Sequence, residues 1–399
     1  MIVGMFTDSY LPYTSGVVRS IEMTTGELRQ RGHEVYIFAP SYGDETDEKL
    51  ADPFVYRLPS VAAPTFKDFH VAIPWSPGLV QKVQDLGIQV IHSHSPFILG
   101  GVGAAAARRN RLPLVFTFHT RYDLYTHYWP WGQGFARRVV TDWARLYANN
   151  AQRVLAPSAS LAQYLTEIGV TAPVEVLPTG IHTQLEEQPD TGWLRRELQL
   201  GPDDRIALYA GRLGPEKNLD VLFDAFALVA EADRRVHFAI AGGGVLRDAL
   251  QERSSIGPLQ GRVHFLGLLD RDRMRDAYAG AEVFAFASLT ETQGLVLAEA
   301  MAVGLVPVAV AAPGSSDTIE DRVSGILTAN DPEAIAAAIK GVLSDAEWRS
   351  RLQQGSRCRA EQFSIAVTTD RLCAIYDELQ ARVKVHQVKV HQRTGSSRL

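Results

Sequence analysis

The segment Thr290-Glu291-Thr292-Gln293-Gly294, continued by Leu295 to Glu299 and by Ala300-Met301-Ala302-Val303-Gly304, sets two carboxylates, Glu291 and Glu299, around a strand-to-helix turn. The apolar run Val283 to Ala287 ahead of it reads as a buried parallel strand, and after Gly294 the residues Leu295, Ala298, Met301 and Ala302 repeat at helical spacing. Glu291 then belongs to the loop and Glu299 to the helix. Amides at a helix start bind phosphate or oxygen groups, and a carboxylate a turn or two further in accepts hydrogen bonds from a diol such as a ribose. The same two acids also suit a plainer role as a favourable first-turn charge and a solvated helix residue.

A second constellation is Tyr209-Ala210-Gly211-Arg212-Leu213-Gly214-Pro215-Glu216-Lys217-Asn218. Glycine lets the backbone approach a ligand, Arg212 offers a planar fork of donors and Lys217 a compact charge, a pair suited to a diphosphate. Two cations in a first turn oppose the helix dipole and gain nothing there without an anion. Ala241-Gly242-Gly243-Gly244-Val245 follows another strand, and its Gly243 is placed to meet a nucleotide or to make a simple turn. Near the start, Ser15-Gly16-Val17-Val18 puts Gly16 at a helix start that faces a phosphate or only turns the chain. Polar and aromatic residues crowd Phe118 to Trp129, with His119 at a strand end, where it meets a sugar hydroxyl or completes the core. His92 and His94 occupy a similar strand end. These histidines and His127 have no Cys or carboxylate at ligand spacing, and no metal site is expected.

The elements that must position these residues are short β-rich runs alternating with helical patterns. Candidate strands are Ile2 to Phe6, Glu34 to Phe38, Val90 to His92, Leu114 to Phe118, Arg153 to Ala156, Val174 to Leu177, Ile206 to Ala210, His237 to Ala241, Val263 to Phe265, Val283 to Ala287 and Val306 to Val310. Such alternation predicts parallel sheets built from βαβ units. A chain of 399 residues exceeds a single core. The expected division is 1–180, a linker at 181–201 rich in turn formers, 202–364, a C-terminal helix over 365–383 packing back towards the N-terminal domain, and a frayed basic tail over 384–399, where Lys384 to Val388 is nearly repeated by Lys389 to Arg393. Ordinary hydrophobic content (46%) and a net charge of -5 give no reason to expect nucleic acid. Two cysteines, Cys358 and Cys373, do not make a disulfide framework, and a reducing cytoplasm is expected. Neither a signal peptide nor a membrane span is visible, which leaves only peripheral membrane contact.

Taken together the motifs resemble the retaining glycosyltransferases of family 4. The resemblance spans nearly the whole chain and rests on Arg212 and Lys217 followed by Glu291 and Glu299. It implies an α/β fold of the GT-B type, two Rossmann-like domains with parallel sheets facing an interdomain cleft, the second holding a nucleotide sugar and the first its acceptor. By that resemblance Arg212 and Lys217 neutralise the donor diphosphate and Glu299 binds the ribose. Glu291 contacts the donor sugar together with the amides around Gln293, Gly294 and Leu295, and His119 stands beside the reacting sugar. The Thr-Glu-Thr-Gln-Gly version, with His119 and the acceptor-side cluster Tyr125, His127 and Tyr128, looks most like bacterial diacylglycerol glucosyltransferases. The implied reaction moves a hexose, glucose from UDP-glucose, to a lipid acceptor, with no cofactor and no required metal. The alternatives are a GDP-mannose-dependent enzyme acting on phosphatidylinositol or a soluble sugar, and an epimerase of UDP-sugars.

One stretch adds a partner. From Pro96 to Leu155 eight arginines face two acids and are interleaved with Tyr125, Tyr128, Trp129, Trp131, Phe135, Trp143 and Tyr147. This composition suits an anionic membrane surface, or else a solvated helix face whose aromatics point inward. The expected location is cytoplasmic, peripherally associated with the inner face of the plasma membrane.

Overall fold

The computed structural model describes residues 1–63, 66–73, 78–124, 133–184 and 188–395. The chain divides into two compact units, one formed by Met1–Gly180 with Ile365–Leu399 and the other by Ile181–Ser364.

In the first unit the strands are β1 (Ile2–Phe6), β2 (Glu34–Pro40), β3 (Val55–Leu58), β4 (Ser60–Ala63), β5 (Phe66–Ala72), β6 (Val90–Ser93), β7 (Leu114–Thr117), β8 (Arg153–Ala156) and β9 (Val174–Val176). Seven of them form a sheet in the order β3-β2-β1-β6-β7-β8-β9, and β4 and β5 make a separate antiparallel pair. Every neighbour in the larger sheet is parallel. Alternation along β1 explains the two-sided core: Val3 and Met5 join one cluster with Val18, Ile21 and Leu28 of helix Gly16–Gln30, while Phe6 joins the opposite cluster with Leu99 and Ala106 of helix Ile98–Asn110.

The second unit holds β10 (Arg205–Ala210), β11 (Val236–Ala241), β12 (Val263–Gly267), β13 (Val283–Phe286), β14 (Val306–Val310) and β15 (Ile326–Thr328). They run parallel in the order β12-β11-β10-β13-β14-β15. Chain order reverses direction between β1 and β6 in the first sheet and between β10 and β13 in the second. Such switch points leave a crevice beyond the carboxyl ends of the strands where ligands bind.

The strands expected from sequence appear within a residue or two. Sequence reasoning missed β3, β4, β5 and β15, which are short, at an edge or in a hairpin, and therefore lack a buried apolar run. Two boundaries are corrected. The segment read as a linker at 181–201 belongs to the second unit: helix Trp193–Glu197 buries Leu194 in that core, Asp190 donates its amide to Asp276 and Arg195 pairs with Glu282. The C-terminal helix spans Ile365–Gly395, so 384–395 continue it rather than fray. No Gly or Pro interrupts the pattern before Gly395, and nothing in the repeated Lys-Val-His-Gln stretch stops a helix.

Candidate active site

Gly211 to Lys217 leave β10 and Ser288 to Gly294 leave β13, so the two loops emerge side by side at the switch point of the second sheet. Glycines make the first loop possible. Gly211, Gly242 and Gly244 all have positive φ, and a Cβ on Gly242 would collide with the Gly211 carbonyl. That closeness lets the loops after β10 and β11 zip together through Gly211 N to Ala241 O (3.0 Å), Leu213 N to Gly243 O (2.8 Å) and Leu246 N to Leu213 O (3.0 Å).

Lys217 ends a short 3-10 turn, Pro215–Lys217, and its Nζ lies 2.5 Å from Glu291 Oε1. Asn218, in the left-handed region, ties the turn to the strand beside it by donating to the Ala287 carbonyl (3.1 Å). Burial alone raises the Glu291 carboxyl, but the Lys217 charge and hydrogen bond, with Ser288 and Arg212, outweigh it and hold Glu291 below the usual glutamate range. An ammonium carries three donors, and the Glu291 contact orients the others. Arg212 is half-exposed and pairs at 2.8 Å with Glu216, whose side chain is almost wholly buried. Tyr209 donates its hydroxyl to the Arg212 carbonyl (3.0 Å), so the arginine is held at both ends.

Gly294, with φ of 76°, caps helix Leu295–Ala302. Gln293 is buried and its carbonyl accepts from Thr318 Oγ1 at 2.5 Å, which fixes the loop just before the helix amides begin. Gly314, also at positive φ, packs against the Glu291 backbone where any side chain would clash. Further along the helix, Glu299 accepts from Tyr278 Oη at 3.3 Å. The site therefore brings together Arg212, Lys217 and Glu291, with Glu216 as an acid that sequence reasoning quoted without a role. Its buried position has no local signal, because Arg212 and Glu216 are spaced like any exposed helical pair.

Gly16 and His119 belong to the first unit. Gly16 begins helix Gly16–Gln30, whose cap is Ser15, accepting from Val18 N at 3.3 Å. His119 follows β7 and lies buried against His94, with His94 Nδ1 2.9 Å from His119 Nε2. His92 completes a row of imidazoles, its Nδ1 2.6 Å from Tyr376 Oη and its Nε2 2.7 Å from Thr117 Oγ1. Burial keeps all three neutral: His92 is pulled down to about 3, His119 to about 4 and His94 well below its ordinary value, with neighbouring imidazoles adding to the fall for His92 and His94. His94 Nε2 is buried with no hydrogen-bond partner among the described residues. At the β1/β6 switch point Asp8 accepts from Leu99 N (2.8 Å) and from Ser95 Oγ, joining the two strand ends. Tyr125, His127 and Tyr128 lie outside the described residues. No group of three or more His, Cys, Asp or Glu is arranged to hold a metal among the described residues.

Comparison with known proteins gives this geometry a context. The sequence model described as Glycosyltransferase Family 4 matches residues 14–185, and that described as Glycosyl transferases group 1 matches residues 192–359. Alpha-monoglucosyldiacylglycerol synthase of Streptococcus pneumoniae is 29% identical over 86% of this chain and 79% of its own length. GDP-mannose-dependent alpha-mannosyltransferase of Mycolicibacterium smegmatis is 30% identical over 96% of this chain and 98% of its own length. Among solved structures, HepE of Anabaena in complex with UDP superposes with a TM-score of 0.77 at 22% identity, covering 95% of this chain and 100% of that one. Sucrose-phosphate synthase of Thermosynechococcus elongatus does so with a TM-score of 0.74 at 21% identity, covering 96% and 99%. Likeness of this extent runs through both units, and the chain therefore belongs to the family 4 glycosyltransferases and carries their GT-B pair of Rossmann-like halves.

Proposed function

We propose that this enzyme is a retaining hexosyltransferase that moves glucose from UDP-glucose to a lipid acceptor such as diacylglycerol, working from the cytoplasm on the inner face of the membrane. The observation that carries the donor half is the Lys217–Glu291 ion pair beside Arg212 at the carboxyl edge of the second sheet. Fixed cations there stabilise the charge that builds on a departing diphosphate, with no required metal. Amides at Gly294 and Leu295, after Gln293, add the helix-start contribution. Glu299 takes the ribose, Glu291 the hexose, and the Gly243 loop lies against the nucleotide. In the first unit His119 stands by the reacting sugar and Gly16 by a phosphate, with Tyr125, His127 and Tyr128 on the acceptor side.

Transfer breaks the bond from the anomeric carbon to the diphosphate oxygen and forms one from that carbon to the acceptor oxygen on the same face. The acceptor hydroxyl proton passes to the leaving phosphate. The lipid acceptor is supported by the likeness to the synthases of Streptococcus pneumoniae and of Acholeplasma laidlawii, the latter 28% identical over 84% of this chain. A second reading, mannose from GDP-mannose, is favoured by the match to nearly the whole Mycolicibacterium smegmatis mannosyltransferase. The relatives in view are transferases, which sets the epimerase alternative aside. Purified protein given labelled UDP-glucose or GDP-mannose with diacylglycerol, phosphatidylinositol or soluble sugars decides between them. Glucolipid from UDP-glucose is expected, and mannolipid or product only with water-soluble acceptors overturns the assignment.

A further inference from the structure

Helix Gln133–Ala148 turns one face into the first unit's core through Ala144, Tyr147 and Ala148, and Tyr147 donates its hydroxyl to the Gly100 carbonyl at 2.8 Å. The opposite face is not polar. Phe135 (77% exposed), Val139 (49%), Trp143 (52%) and Leu146 (54%) project outwards from it. At about 100° per residue these four fall within roughly 80° of arc, a continuous apolar stripe. Trp143 Nε1 donates to the Pro96 carbonyl at 2.8 Å, which holds its ring in place at the stripe's margin. Arg138, highly exposed, and Arg145 border the stripe and share the acid Asp142, at 4.0 Å and 3.0 Å, whereas Arg137 lies on the far face and donates to the Asp123 carbonyl at 3.1 Å. Arg108, Arg109 and Arg111, all exposed, close the helix Ile98–Asn110 that packs into the same core cluster.

We propose that this stripe is the surface by which the protein docks on a bilayer, the helix lying in the headgroup plane with Phe135, Val139, Trp143 and Leu146 inserted and Arg138 and Arg145 at its border facing anionic lipid. The inference deepens the lipid-acceptor reading and rests on it for the partner's identity. Charge complementarity selects the partner. Residues 96–155 carry eight arginines and two acids in a chain whose net charge is -5; Arg121 is taken up by Asp123 and Arg153 by Glu175 and Glu378, which leaves six arginines against Asp142, an excess of five positive charges. Aromatic and aliphatic side chains at the headgroup level with flanking cations are what holds a surface helix on a membrane. Among the described residues no helix is long and apolar enough to cross one.

The test is co-sedimentation of the full chain with sucrose-loaded vesicles of phosphatidylcholine, with and without phosphatidylglycerol. Wild type is expected to bind the anionic vesicles more tightly, by roughly fivefold for each arginine that reaches the surface, and to lose that margin at high salt. The triple variant Phe135→Ser, Val139→Ser, Leu146→Ser is expected to bind both vesicle types about tenfold or more weaker, because its insertable apolar area is gone. Its thermal midpoint and its transfer to a short-chain, water-soluble diacylglycerol should match wild type, since these side chains touch solvent. Wild-type binding by the triple variant overturns the proposal, as does wild type that binds neither vesicle. A wild-type dimer that the same variant makes monomeric, with vesicle binding unchanged, assigns the stripe to a second copy instead. Vesicle binding without transfer to any acceptor removes the functional reading and leaves the docking surface standing; transfer without vesicle binding does the reverse.

Discussion

Lys217 and Glu291 are separated by much of the second unit's sequence, yet their side chains make a 2.5 Å contact. Each is therefore the other's support, and removal of either acts twice. Lys217→Ala leaves Glu291 without its main stabilising charge and, in the donor-binding role proposed for Lys217, deletes a charge-assisted contact to the diphosphate. The donor KM is expected to rise about ten- to a hundredfold, the worth of one or two such contacts; a KM within twofold of wild type in steady-state kinetics removes Lys217 from donor binding. In the first unit the contact that matters is the one between His94 Nδ1 and His119 Nε2. An asparagine amide reaches the place of Nδ1, whereas leucine fills the volume and offers no polar atom. His94→Leu is expected to lower transfer about tenfold or more through misoriented His119, and His94→Asn to restore most of it. Equal activity of the two variants would show that His94 serves as filler alone.

The loops that carry these residues exist because particular glycines let backbones meet. Gly242, with φ of 145°, packs on the Gly211 carbonyl, and the ladder from Gly211 N to Leu246 N depends on that closeness. Gly242→Ala adds a methyl group where there is no room and at a φ that L residues avoid, and is expected to cost about 2 kcal/mol or more. Urea unfolding of the purified variant measures that loss, and a donor affinity that falls with it links the ladder to the Arg212 loop. Helix Leu295–Ala302 shows the same dependence on a single backbone geometry, since Gly294 caps it in the left-handed region and the Gln293 carbonyl is pinned by Thr318. The glycine of Thr-Glu-Thr-Gln-Gly is readable as a turn; its cap geometry and the Thr318 clamp are not, because Thr318 comes from a separate short helix.

Across the molecule, the buried imidazoles make the first unit's stability depend on pH. His119 in the folded chain titrates at about 4 and His92 at about 3, both below the ordinary 6.5 of an unfolded histidine. The unfolded chain binds more protons between these limits, so their contribution is fully present above pH 6.5 and is lost as pH falls towards 4. His119 alone accounts for on the order of 3 kcal/mol of that loss by pH 4. Urea midpoints measured from pH 7 to pH 4.5 are expected to fall steadily. A His119→Asn variant should flatten the curve, and identical slopes for the two proteins would refute the assignment.

Much of the architecture was legible from residues alone, because its signals are local. Apolar runs bounded by glycine, and helical repeats between them, announce parallel strands and their crossovers without reference to any distant contact. The order of Arg212, Lys217, Glu291 and Glu299 was equally readable, and so was the excess of arginine from Pro96 to Leu155. Which loops adjoin was not readable, since strand order in a parallel sheet is settled by long-range pairing. The placement of β13 beside β10, across two intervening strands in the chain, is what carries Glu291 to Lys217. Folding also decided that Glu216 would be buried under Arg212, that His94 would meet His119, and that Phe135, Val139, Trp143 and Leu146 would face outwards. Exposure depends on which face of a helix the core claims, and a sequence records the periodicity of that face but not its partner.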